Sequence, residues 1–120
     1  MTGVVAADHA CLAVTFVLPG RPSLTLEFVV DTGFVGHLTL PVAAEEALEL
    51  PFVRRITANL ADDRTVPVNF HAATIVWNGR EQEVTVAALG RRPLLGTKLL
   101  WGSELAIRFE ERGAVTVVPL

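Results

Sequence analysis

Cysteine is nearly missing from this chain of 120 residues: Cys11 stands alone. No internal disulfide can form, and a lone thiol fits a reducing compartment. Charge is sparse too, at 19% of residues, with ten basic against thirteen acidic side chains. The basic residues are scattered, which excludes a face built for nucleic acid or for an anionic membrane. No apolar run approaches the roughly 20 residues of a membrane span, and no early basic-then-apolar segment resembles a signal peptide. A soluble, cytoplasmic protein is the expectation. Repeats, linkers and low-complexity stretches are missing as well. What is plentiful is apolar: the hydrophobic fraction of 51% excludes a disordered chain and suits one that covers extra surface with a partner. This length makes a single domain, 1–120, with a real core.

Period-two alternation organises most of the chain. Leu12, Val14, Phe16 and Leu18 fall on one face of a strand over 9–18. Pro19-Gly20-Arg21-Pro22 turns, and Leu24, Leu26, Phe28 and Val30 share a face of the next strand. A short strand over 37–40 stops at Pro41, a residue suited to the first turn of a helix. Ala43, Ala44, Ala47 and Leu48 then recur at helical spacing with Glu45, Glu46 and Glu49 outward, predicting one short helix around 41–50. Strands resume over 53–60 and 65–77, on either side of Ala61-Asp62-Asp63-Arg64. Asn78-Gly79 is a type I′ hairpin signal leading into 83–88. After a loop at 90–93, Leu94-Leu95-Gly96 enters a short helical turn around 97–101. Leu105, Ile107 and Phe109 alternate in a further strand, Glu111-Arg112-Gly113 turns, and 115–118 closes the chain. Many short strands between polar turns predict an all-β fold: a closed, mostly antiparallel β-barrel with one short helix.

One stretch breaks the apolar pattern. The strand over 24–30 runs straight into Asp31-Thr32-Gly33-Phe34-Val35-Gly36. Burying a carboxylate is costly unless something hydrogen-bonds or pairs with it, and the glycines permit close approaches that a side chain forbids. A carboxylate held at a sharp turn in a half-buried place is how a reactive acid is presented. The plainer alternative is an acid that satisfies backbone N–H groups where a strand becomes a turn.

Asp31-Thr32-Gly33 after two apolar residues resembles the active-site signature of retropepsin-like (retroviral-type) aspartic proteases of the pepsin clan. Leu94-Leu95-Gly96 resembles that family's second hallmark, two apolar residues and a glycine threading beneath the active-site loop. The resemblance spans roughly 10–118 and is closest to small bacterial single-domain members. It implies the acid-protease barrel and an aspartic endopeptidase acting on peptides or proteins without metal or cofactor. Asp31 would be catalytic, and the Thr32 hydroxyl would bridge a dimer axis. Gly33 would turn the loop and hold the carboxylate with its N–H, and Gly96 would let the later segment pack beneath. Peptide hydrolysis by carboxylates needs two of them, one taking a proton from water and one giving a proton to the carbonyl oxygen. With one Asp-Thr-Gly and no room for a second lobe, such an enzyme must be a homodimer with Asp31 from each chain.

By order along the chain, 57–68 stands where the family carries its flap, tipped by Ala61, Asp62, Asp63 and Arg64. That tip lacks the glycine usual there, so Asp63 is the residue expected to take the left-handed conformation. Phe34 replaces the small residue usual after the signature. Dimer contacts are expected from Thr32 and from Thr116 to Leu120, a strand able to pair with a partner's. Elsewhere the bland readings hold. Asp62 and Asp63 point apart into water. His9, His37 and His71 lack ligand spacing, with His37 near the acid loop. Cys11 is a small buried thiol, Trp77 and Trp101 pack, and Arg91 and Arg92 solvate a loop. A rival function keeps the dimeric barrel as a peptide- or protein-binding module with little turnover; a third reading is a monomeric β-domain.

Overall fold

The alternation around the Pro19–Pro22 turn produces a hairpin. Strands β2 (His9–Val17) and β3 (Leu24–Val30) pair antiparallel from Cys11↔Val29 to Phe16↔Leu24. Their inward residues Leu12, Val14, Phe16 and Phe28 are fully buried, with the two phenylalanine rings 6.0 Å apart. This is a computed structural model, and it describes residues 1–59 and 61–120. Leu60, expected to end the strand over 53–60, lies outside the described residues.

After β3 come β4 (Leu38–Leu40), the helix α1 (Val42–Leu48), β5 (Phe52–Asn59) and the long β6 (Thr65–Trp77). Asn78 and Gly79 both have positive φ, +52° and +76°, as a type I′ turn requires, and deliver β7 (Arg80–Ala88). Then follow β8 (Leu94–Leu95), a single helical turn α2 (Thr97–Leu100), β9 (Ser103–Ile107) and β10 (Ala114–Pro119). The first strand, β1 (Thr2–Ala6), has no counterpart in the sequence reading. Five residues are too few to display a period, and β1 is held only by strands it meets in space, β2 and β10.

All ten strands form one sheet in the order β5-β6-β7-β4-β8-β3-β2-β1-β10-β9, and β6 also pairs with β2. That extra pairing closes β2, β3, β8, β4, β7 and β6 into a ring around the core. Most pairings are antiparallel; β3–β8 and β4–β7 are parallel. β5 hangs from the ring as a hairpin with the first half of β6, while β1, β10 and β9 extend from β2.

Four expectations are corrected. Glu45, expected outward, is buried, whereas Ala43 and Ala47 are exposed. The helix turns this way because Glu45 Oε1 receives the Nδ1–H of His71, also buried, at 2.9 Å. Trp101, expected to pack, is 88% exposed. Phe109 falls outside β9, which ends at Ile107, and is 76% exposed. Finally, Thr116 and Val117 are not free for a partner. Thr116 is matched to Thr2 on one side and Ala106 on the other, and Val117 exchanges bonds of 2.8 Å with Met1.

The Glu45–His71 contact also braces the root of the β5–β6 hairpin. His71 Nδ1 lies 3.2 Å from Leu50 O, and the Phe52 ring stands edge-on to the imidazole at 5.9 Å. Glu45→Ala would leave a buried donor with one weak partner. It should cost about 2 kcal/mol in a denaturant titration, with Glu45→Gln nearer wild type because the amide oxygen still accepts.

Candidate active site

Asp31 follows β3 directly, and the backbone beneath fixes it. β3 and β8 pair in parallel, Val29↔Leu94 and Val30↔Leu95, and the Asp31 N–H donates to Leu95 O at 2.9 Å. The Leu94-Leu95 strand therefore runs directly alongside the acid's own strand. Above it the chain turns tightly: the Gly33 N–H donates to Asp31 Oδ1 at 2.8 Å, and the Phe34 N–H to Asp31 O at 3.2 Å. Asp31 is half-buried, with Thr32 and Gly33 exposed beside it. One carboxylate oxygen is thus held by a backbone donor, which orients the group while leaving its other face open.

The rest of the loop is clamped from α2. Thr97 donates its N–H to Phe34 O at 2.8 Å, Lys98 its N–H to Gly36 O at 3.3 Å, and Gly96 its N–H to His37 O at 2.9 Å. Gly96 has no room for a side chain. A Cβ there would overlap Gly36 O, lie 2.5 Å from Phe34 O and lie 2.6 Å from the Phe34 ring. A Cβ on Gly36 would also meet that same ring, at Cζ. Phe34 therefore occupies space that two glycines leave empty, which is why a large residue is accommodated after the signature. No sequence pattern signals this, because Gly36 and Gly96 are brought together only in space, by the pairing of β8 with β3 and β4.

His37 is fixed beside the loop. Its Nδ1 accepts the Thr85 N–H at 3.1 Å, with the Thr85 hydroxyl at 3.3 Å. Accepting from a backbone N–H places the ring proton on Nε2 and keeps the imidazole neutral. Burial pushes its pKa below the ordinary 6.5, and the Lys98 charge adds to the shift. The unfolded chain then binds this proton at a pH where the folded chain does not. The stabilisation is present above pH 6.5 and is lost as pH falls through the depressed folded value. Thermal midpoints measured downward from pH 7 should therefore fall less steeply in His37→Gln than in wild type.

The expected flap is the β5–β6 hairpin, paired from Asn59↔Thr65 to Phe52↔His71. Asp63 has φ +64°, the left-handed conformation expected of it. Ala61, Asp62, Asp63 and Arg64 are exposed, and Asp62 turns back on its own turn, accepting the Arg64 N–H at 3.2 Å and pairing with Arg64 Nε at 2.6 Å. Among the described residues, no hydrogen bond joins this tip to Asp31. His9 accepts from Arg92 at 2.6 Å, so the three histidines are engaged in separate places, and Cys11 is buried. A concavity of about 280 Å³ between the β2–β3 turn, the end of α1 and β6 is lined by residues such as Leu18, Arg21, Leu50 and Glu83 and does not include the acid loop. Among the described residues, no helix is long and apolar enough to cross a membrane.

A ring of short strands thus carries one half-buried aspartate on an Asp-Thr-Gly turn, with Leu94-Leu95-Gly96 running alongside its strand. No protein-family model and no curated protein matches the sequence. Two solved structures do match in fold. EIAV protease complexed with the inhibitor HBY-793 aligns with TM-score 0.57 and 19% identity, covering 78% of this chain and 86% of that one. A retropepsin-like aspartic protease from Rickettsia conorii aligns with TM-score 0.58 and 14% identity, covering 96% of this chain and 88% of that one. The chain has the retropepsin-like fold.

Proposed function

We propose that the chain is an aspartic endopeptidase acting as a homodimer, with Asp31 of each protomer forming one catalytic dyad. The observation that carries this reading is the Asp31 carboxylate itself, oriented by the Gly33 N–H at 2.8 Å on a loop clamped by Leu95, Gly96 and Thr97. So much backbone is spent on aiming one exposed-edged acid that a purely structural role accounts for it poorly.

Two such carboxylates across a two-fold axis cannot both ionise and so share a proton. The ionised member takes a proton from a water as the water attacks the peptide carbonyl. The protonated member donates to the carbonyl oxygen as the tetrahedral intermediate forms, and proton return to the amine nitrogen releases the two products. Thr32, exposed at the same turn, would bridge to its counterpart, and the β5–β6 hairpin is the element that would fold over a bound peptide. The Asp62–Arg64 pair, closed on itself, gives that hairpin a polar tip. This favours selective capture of substrate, and it is the feature that supports the second reading, a peptide-binding dimer with little turnover.

The test is cleavage of a broad peptide library from pH 4 to 7 by wild type and by Asp31→Asn. Cleavage by wild type alone supports the dyad. Folded dimers that cut nowhere would move the binding reading ahead.

A further inference from the structure

The concavity between the β2–β3 turn, the end of α1 and β6 lies away from the acid loop. That turn precedes β3 at Leu24 and Asp31 follows β3 at Val30, so about 20 Å of strand separates the two. At about 280 Å³ the concavity is just below the usual range of ligand pockets and suits one or two side chains. Its floor is apolar, with Leu48 and Leu50 buried and Leu18 and Ala72 half-buried. The charged groups around it are Arg21, Glu49 and Glu83, all exposed. Arg21 is already engaged, since its guanidinium donates to Leu48 O and Ala47 O at the end of α1. Neither carboxylate has a basic partner among the described residues.

Glu49 reaches this rim in an unfavourable conformation. It ends α1 with φ +53°, where glycine or asparagine is usual, and its N–H closes the helix onto Glu45 O at 3.0 Å. Any residue but proline supplies that N–H, so capping does not account for a glutamate. Residues held in such conformations cluster where a ligand is gripped.

We propose that this pocket docks a lysine or arginine side chain, flanked by aliphatic residues, from a peptide or protein substrate. The cation lies between Glu49 and Glu83, and its stem and an aliphatic neighbour cover Leu18 and Leu50. Charge complementarity decides the sign of the ligand: two free carboxylates stand against one guanidinium already turned to backbone oxygens. The identity of the ligand rests on the endopeptidase reading, and the inference adds a recognition element remote from the bond to be cut. Spanning about 20 Å in extended form takes roughly six residues, so a short substrate cannot use both places.

The test uses Asp31→Asn, in which no dyad can consume a peptide, with N-acetyl-Leu-Lys-Leu-amide as the probe. Titration followed by amide NMR should move the signals of Leu18, Leu50, Ala72 and Glu83, and high salt should weaken binding. Glu83→Gln should raise the probe's Kd about threefold, the size of an exposed ion pair. Glu49→Asn should raise it similarly while lifting the thermal midpoint by about 3 °C, because asparagine accepts the left-handed conformation more readily. A merely structural Glu49 would not separate binding from stability in this way. With Asp31 intact, the two substitutions together should raise KM about tenfold. That rise, with kcat unchanged, applies to a substrate carrying Leu-Lys-Leu about seven residues from the cut. A short substrate without it should be unaffected. A probe that moves no pocket signal, or a Kd that ignores both substitutions, would overturn the docking pocket and leave the dyad intact if cleavage still depends on Asp31. Tighter binding of N-acetyl-Leu-Glu-Leu-amide would also overturn it, making Arg21 the anchor. Probe binding as expected, with no cleavage by wild type, would uphold the pocket and overturn the dyad.

Discussion

Asp31→Asn is expected to remove peptide cleavage by on the order of 10⁴-fold, the upper end of what a positioned acid–base group supplies. The substitution acts on both halves of the dyad at once. Asparagine keeps the size and keeps an oxygen to accept the Gly33 N–H, so the loop survives. Only the difference between a charged and a neutral acceptor is lost, about 1 kcal/mol, and sizing and circular dichroism should match wild type. The pH profile of the wild type would report the coupled pair and not either carboxylate alone. Equal cleavage by both proteins would remove Asp31 from the chemistry. Loss of folding in the variant would show instead that the carboxylate's main task is to hold the turn.

Gly96→Ala is expected to be strongly destabilising, at about 3 kcal/mol or roughly 10 °C in thermal midpoint. Its Cβ would press on two backbone carbonyls, Gly36 O and Phe34 O, as well as on the Phe34 ring. Those carbonyls accept the N–H groups of Lys98 and Thr97, so they cannot retreat without breaking the clamp. Gly36→Ala makes a revealing comparison, because there the obstruction is the Phe34 ring alone, with Cζ at 2.5 Å. Adding Phe34→Leu should recover much of the loss in Gly36→Ala and little of that in Gly96→Ala. This is a double-mutant coupling that separates side-chain crowding from backbone crowding. Equal rescue of both would mean that the loop moves as a whole and the clamp is softer than its hydrogen bonds suggest.

The acid loop was legible because its chemistry is local. An apolar strand delivering Asp-Thr-Gly specifies a turn, and the expected bond from the Gly33 N–H to the carboxylate spans two residues. Asn78-Gly79 and the left-handed Asp63 were legible for the same reason, since φ > 0 is a demand placed on single residues. Glu45 went the other way. Its helix is too short for spacing to define a face, and the partner that draws it inward, His71, belongs to another strand. Phe34 likewise departs from the family pattern in sequence, yet in space it is matched to Gly36 and Gly96.

By itself, the sequence determined most of the strand segments, where the chain turns, and that one aspartate stands at the end of an apolar strand on a glycine-bearing turn. These follow from side-chain period and from the backbone angles that glycine, proline and asparagine allow. Tertiary structure alone decided which strand edges are used. It inserted β10 between β1 and β9, so Thr116 and Val117 are paired on both sides within their own protomer, and β9, like β5, keeps an unpaired edge among the described residues. Every strand carries the same N–H and C=O groups on both sides, whatever its side chains. Which side is left open is settled only by how the whole sheet closes.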